Sequence, residues 1–163
     1  MRDLIAGAVA LALLLVAASL ATTLKMYRGR RRRMHDSERA LGRTIVAEIP
    51  ADEDLVLFSE DKKRFYYGDR SIDKDLIAAV RVLINGAPLA AYVSRRNAVT
   101  TDGPTAFEDR PDGIARDRWD VAIETLTGTT LVECGAIRER VSQELARAVF
   151  DAVKRELERL EKG

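Results

Sequence analysis

The stretch Val80-Arg81-Val82-Leu83-Ile84-Asn85-Gly86, followed by Leu89-Ala90-Ala91-Tyr92-Val93, decides how the chain folds. Val80, Val82 and Ile84 alternate with Arg81 and Leu83, the period of two that sends successive side chains to opposite faces of a strand. Asn85-Gly86 supplies the two positive-φ residues that a type I′ turn requires, so the pattern predicts a β-hairpin. A second hairpin is expected downstream. There Trp119, Val121 and Ile123 share one face, and Asp120, Ala122 and Glu124 share the other. Thr127-Gly128-Thr129 turns the chain, and Thr130 to Cys134 returns.

Upstream of the first hairpin the same alphabet recurs in shorter pieces. Thr44 to Ile49 is β-branched and alternating, and Pro50-Ala51-Asp52-Glu53-Asp54 closes it. Leu55 to Phe58 is a second apolar run, and Arg64-Phe65-Tyr66-Tyr67 is an aromatic one suited to a strand. Ser71 to Asp75 can cap a short helical turn. The chain then ends in a helix. Ile137, Val141, Leu145, Ala148, Val149, Ala152, Val153, Leu157 and Leu160 fall three or four apart and make one apolar stripe. That stripe wants a partner surface, and the sheet made by the preceding strands supplies it.

At the other end, residues 4–24 carry no charge. A helix of that length spans roughly 31 Å, about the hydrocarbon thickness of a bilayer. Lys25, Arg28, Arg30, Arg31, Arg32 and Arg33 follow at once. Positive charge after an apolar run resists translocation, so the reading is an uncleaved anchor with the rest of the chain cytoplasmic at a bacterial inner membrane. A cleaved signal peptide is the alternative, but signal peptides put their charge before the apolar core. The basic block reads as a topology determinant that also meets anionic lipid. The expected organisation is a transmembrane anchor over 1–24, a basic juxtamembrane stem over 25–43 stopped near Gly42, and a domain over 44–163.

Charge is unevenly divided. Seven of the 27 Lys and Arg lie in residues 1–33, which leaves 20 basic against 25 acidic residues beyond, a net of −5. A domain with that field is not a nucleic-acid binder. One cysteine, Cys134, excludes an intrachain disulfide, and the one histidine, His35, lies in the stem. A zinc site needs several such ligands at short spacing, and a Ser-His-Asp triad needs a histidine within the domain. No phosphate-cradling Gly-rich motif is present. The acidic residues of 94–117 do not follow EF-hand spacing. No cofactor and no metal are expected, and the chain reads as a non-enzyme.

Strands followed by one C-terminal amphipathic helix resemble the pleckstrin-homology-like (PH-like) superfamily in its small bacterial members. Leu57-Phe58-Ser59-Glu60-Asp61 leading into Arg64 to Gly68, Ser71 to Ile77 before a strand, and the hairpin Arg118 to Cys134 entering the last helix carry the likeness over about residues 44–161. The resemblance implies an α+β fold class: the N-terminal transmembrane helix, then a PH-like bent antiparallel sheet of six or seven strands capped by the C-terminal helix. Lipid-binding members carry Lys and Arg around the first hairpin, whereas this chain has the acidic Pro50 to Asp54, which repels an anionic head group. The resemblance therefore implies the fold and no lipid-binding residues. A ferredoxin-like or other α+β sandwich fits the same elements.

The long connection Ser94 to Asp117 is the stretch left unexplained by strands and helix. Arg95, Arg96, Phe107, Glu108, Asp109 and Arg110 are its candidate partner-binding residues, with Phe107 as an apolar anchor amid charges. The function expected is an adaptor or accessory subunit that binds a protein partner at the membrane. A small-ligand module using 94–117 as a lid is the alternative. An enzyme built on Glu108 and Asp109 is the remainder, since adjacent carboxylates point differently and no partner base is evident.

Overall fold

The computed structural model describes residues 2–51, 54–97 and 117–162. In the first helix, side chains are described for residue 11 and from residue 13 onward. The chain divides into two compact units, Met1–Leu41 and Gly42–Gly163.

The first unit is one helix, α1, Arg2–Ala40. It ends before Gly42, which takes φ 73°, the left-handed conformation that glycine adopts without a Cβ penalty. Among the described residues no helix is long and apolar enough to cross a membrane. This corrects the expected transmembrane helix, and with it the single-pass membrane assignment. The physical reason lies in composition: along the described side chains of α1 the apolar Leu13 to Leu24 gives way to Lys25, Arg28 and the run Arg30 to Arg33, so charge interrupts the apolar stretch.

Among the described residues the second unit holds eight strands and a helix. These are β1 (Thr44–Ala51), β2 (Asp54–Glu60), β3 (Arg64–Tyr67), β4 (Arg70–Asp73), β5 (Ile77–Ile84), β6 (Ala87–Val93), β7 (Arg118–Thr125), β8 (Gly128–Ala136) and α2 (Arg140–Lys162). A 3-10 turn, Lys74–Leu76, joins β4 to β5. The strands form two antiparallel four-stranded sheets, ordered β1-β2-β3-β4 and β6-β5-β7-β8. The expected single bent sheet of six or seven strands is thus replaced by eight strands in two sheets. In the second sheet β5 lies between β6 and β7, both of which follow it in the chain. β1 also runs further than its sequence suggests, through Pro50 to Ala51. Proline is tolerated there because β1 is an edge strand.

The core is built as the alternation requires. Val80, Val82, Trp119, Val121, Ile123 and Val132 from the second sheet meet Ile49, Phe58, Phe65 and Ile72 from the first. Phe58 and Phe65 stack with ring centroids 5.5 Å apart. The helix α2 closes this core with Ala146, Val149, Ala152, Val153 and Leu157. The seated face is rotated from the one the stripe suggested at its N-terminal end. Ser142 is buried there and Val141 is 59 % exposed.

Lys74 ties the 3-10 turn to both layers. Its Nζ lies 2.7 Å from Glu60 Oε2 and donates to the Asp61 carbonyl at 2.7 Å. Glu156 Oε1 of α2 is 4.0 Å away, and the Phe65 ring centroid 4.5 Å. The residue is 5 % exposed. A buried ammonium is tolerated only when so partnered.

Candidate functional site

The first hairpin forms as its sequence requires: Asn85 takes φ 53° and Gly86 φ 78°. Asn85 does more than turn. Its Oδ1 accepts the Asp117 N–H at 2.6 Å and the Arg118 N–H at 3.2 Å, and its own N–H donates to the Arg118 carbonyl at 3.2 Å. The β5–β6 turn is therefore pinned to the start of β7.

The far end of β6 is pinned as well. Ser94 N–H donates to the Ala78 carbonyl at 2.8 Å. Tyr92 Oη donates to Glu161 Oε2 at 3.0 Å, and the Arg95 N–H donates to Glu161 Oε1 at 2.7 Å. Arg96 Nη1 donates to the Leu160 carbonyl at 3.0 Å, near the C-terminal end of α2 where carbonyls lack helical partners. Asn97 Nδ2 donates to the carbonyls of Asp75 and Ile77 at 2.7 and 3.0 Å. The Arg95 N–H chiefly, then the Tyr92 hydroxyl, hold the Glu161 carboxyl below its ordinary value.

Between these two anchorages runs Ala87-Pro88-Leu89-Ala90-Ala91-Tyr92-Val93, without a single charge. It pairs with β5 on one side only, from Ile84↔Ala87 to Ala79↔Val93, with an irregularity at Leu89. Among the described residues its other side is the edge of the sheet. Every residue of it except Tyr92 is exposed, Leu89 at 63 % and Val93 at 49 %. An edge strand turns N–H and C=O groups outward, and proteins blunt such edges with charge, shortness or cover. The other edges follow that rule. β4 is four residues long and bears Arg70 and Asp73. β8 packs beside β1. β6 has Pro88 and the irregularity at Leu89, both in its first half, and no charge, so the stretch from Ala90 to Val93 is left without such a device.

The residues singled out in the sequence fall into three groups. Lys25, Arg28, Arg30, Arg31, Arg32 and Arg33 all lie exposed on α1. Arg95 and Arg96 fasten β6 to α2. Phe107, Glu108, Asp109 and Arg110 lie outside the described residues. The exposure of β6 is not among these expectations, although the absence of charge over seven consecutive residues is a signal of it.

Two further clusters bear on chemistry. Cys134 is buried, and burial chiefly, with Asp120 nearby, pushes its thiol up to about 12. A thiol held there carries almost no thiolate at neutral pH and is a poor nucleophile. Asp120 is 1 % exposed. Arg118 Nε lies 2.7 Å from its Oδ1, yet the geometry is not that of an aligned hydrogen bond, so the contact is a close ion pair. Burial raises the Asp120 carboxyl above its ordinary value against the pull of Arg118. Among the described residues no group of His, Cys, Asp and Glu is placed to hold a metal.

The raised Asp120 carboxyl has a consequence for stability. Folding favours its protonated form, so the penalty is absent below the unfolded value near 3.8. It sets in as pH rises from there through the raised folded value, and is full above that value. Asp120→Asn is therefore expected to raise the melting temperature near pH 7 and to lose that advantage at about pH 3.5. Melting curves of both proteins across this range check it; a lower melting temperature for the variant at pH 7 would show that the ion pair outweighs the burial.

Comparison with protein-family models, with curated proteins and with solved structures finds no match to this chain.

Proposed function

We propose that this protein is a binding module, not a catalyst, and that it takes an extended segment of protein onto the outer side of β6. The observation that carries the reading is the exposed, charge-free edge held rigid at both ends. Strand addition gains affinity from main-chain hydrogen bonds and specificity from alternate side chains. An acceptor fixed in advance loses little freedom when it binds. A photo-crosslinking side chain at Leu89 in the full chain tests this in the cells that express it. The expected result is a discrete protein adduct that is lost when Ala91→Lys places a charge on the edge. Absence of an adduct, or an equal adduct from the exposed Val141 on α2, contradicts the reading.

A second observation supports a location. Along α1 the apolar side chains Leu11, Leu13 to Val16, Leu20 and Leu24 are exposed. Four successive positions, 13–16, point most of the way round a helix, and a helix apolar on all sides needs apolar surroundings. The six basic residues follow directly. We infer association of α1 with an anionic lipid surface, a statement about attachment and not about crossing. Each basic residue near such a surface contributes about 1 kcal/mol. Replacing Arg28, Arg32 and Arg33 with Gln is expected to weaken flotation with phosphatidylserine vesicles by roughly a hundredfold and to spare binding to neutral ones. Equal loss on both vesicle types would contradict it.

A further inference from the structure

We propose that the segment taken up at this edge is β6 of a second copy of the chain, paired antiparallel about a two-fold axis; this rests on reading β6 as a strand acceptor. Three features single out the second copy. A strand without charge can lie against itself with no like charges brought opposite, the repulsion by which edges usually prevent self-pairing. Ala87, Ala90 and Ala91 are small and exposed, so crowding along the strand is limited to Leu89 and to Tyr92 and Val93 at its end. Self-pairing at β6 also closes. A two-fold axis uses one edge from each copy and leaves none of that kind open, whereas pairing β6 with a different edge would run on into a filament. The other edges are unsuited in any case, β4 by charge and shortness and β8 by its neighbour β1.

The product is a continuous antiparallel sheet of eight strands across two chains, four from each. The seven-residue contact is about 23 Å long. A contact of that extent belongs to the small, weak class of interfaces, so the dimer forms where chains are concentrated.

Cysteine scanning tests the pairing in the full chain in detergent micelles. Leu89→Cys, Ala90→Cys and Ala91→Cys are made one at a time, with Arg147→Cys on the solvent side of α2 as the control. Cys134 is buried with its thiol pushed up to about 12, so it adds no background. Residues directly opposite across antiparallel strands have Cβ atoms about 5 Å apart, and one of the three positions is expected to form a disulfide dimer at least about tenfold faster than the control. Intact Trp119 fluorescence verifies that each variant is folded. Should none of the three outpace Arg147→Cys while Leu89 still yields an adduct with a different protein, the second copy is wrong and strand acceptance stands. Should both experiments be silent, both readings fall.

Discussion

Lys74→Met is expected to cost about 3 kcal/mol of stability, close to what breaking a buried ion pair costs by removal of one partner. The methionine keeps the volume and the contact with Phe65, so packing is nearly conserved and the loss is electrostatic. Glu60 and Glu156 are left facing a site with no cation, with side chains 29 % and 12 % exposed. Glu156 retains Arg159, whose Nη2 lies 2.6 Å from its Oε1, so Glu60 bears most of the loss. Urea unfolding followed by the one tryptophan, Trp119, measures this directly, because that side chain is 7 % exposed and lies within the core. Adding Glu60→Gln to Lys74→Met should recover part of the loss, since a neutral amide replaces the unpaired carboxylate. A cost below about 1 kcal/mol would place Lys74 among ordinary surface pairs and remove its role in joining the 3-10 turn to α2.

Gly135→Ala is the second large effect, and its cause is steric. Gly135 stands in β8 opposite Trp119, beside an irregularity in the β7–β8 register, with φ 111°. Residues with a Cβ rarely adopt that conformation, and holding one there costs on the order of 1–3 kcal/mol. A Cβ at this position would also stand 2.6 Å from Ser142 Oγ, a separation that forces a shift. Ser142 is itself buried, in the first turns of α2, so the helix start must move or the strand must. Together these predict a loss of about 3 kcal/mol or more in urea unfolding. The double variant Gly135→Ala, Ser142→Ala removes the closest contact and leaves the backbone strain. It should therefore recover part of the loss and not all. Full recovery would mean that the backbone carries no strain, and no recovery would mean that Ser142 is not the obstacle.

Local patterns made much of this architecture legible. The Asn85-Gly86 turn, the β5 alternation and the sharing of faces by Trp119, Val121 and Ile123 followed from period and turn chemistry alone. The short helical turn expected from Ser71 to Asp75 is found only from Lys74, because Ser71 to Asp73 belong to β4. The sheet order did not follow, because it depends on pairing across sequence distance. Leu83 lies opposite Asp120 with the long connection between them, and nothing in either strand announces the other. The count of strands rose to eight because Arg70–Asp73, where a turn and a helical cap are expected from the sequence, pairs with β3 as β4. The α2 stripe was legible in its middle, at Val149, Ala152 and Val153, but not at Val141, where the close approach of Gly135 seats Ser142 instead.

The candidate site was legible in part. Arg95 and Arg96 drew attention as charges beside a long connection, but their hydrogen bonds go to the end of α2. That makes them fasteners of β6, which no spacing rule could reveal, since Glu161 and Leu160 lie more than sixty residues away. The β6 strand was read correctly as the return of a hairpin. Its exposure was not legible, because it depends on how the rest of the fold packs around the strand.

Amide hydrogen exchange across residues 87–93 tests the central claim most directly. It reports whether the outward N–H groups of β6 find partners. Measured on the full chain at low and at high protein concentration, exchange within β6 is expected to slow as concentration rises, while β5, already paired on both sides, stays unchanged. Leu89→Lys should abolish the slowing. Exchange in β6 that is the same at both concentrations, and the same in the variant, would contradict pairing of β6 with a second copy.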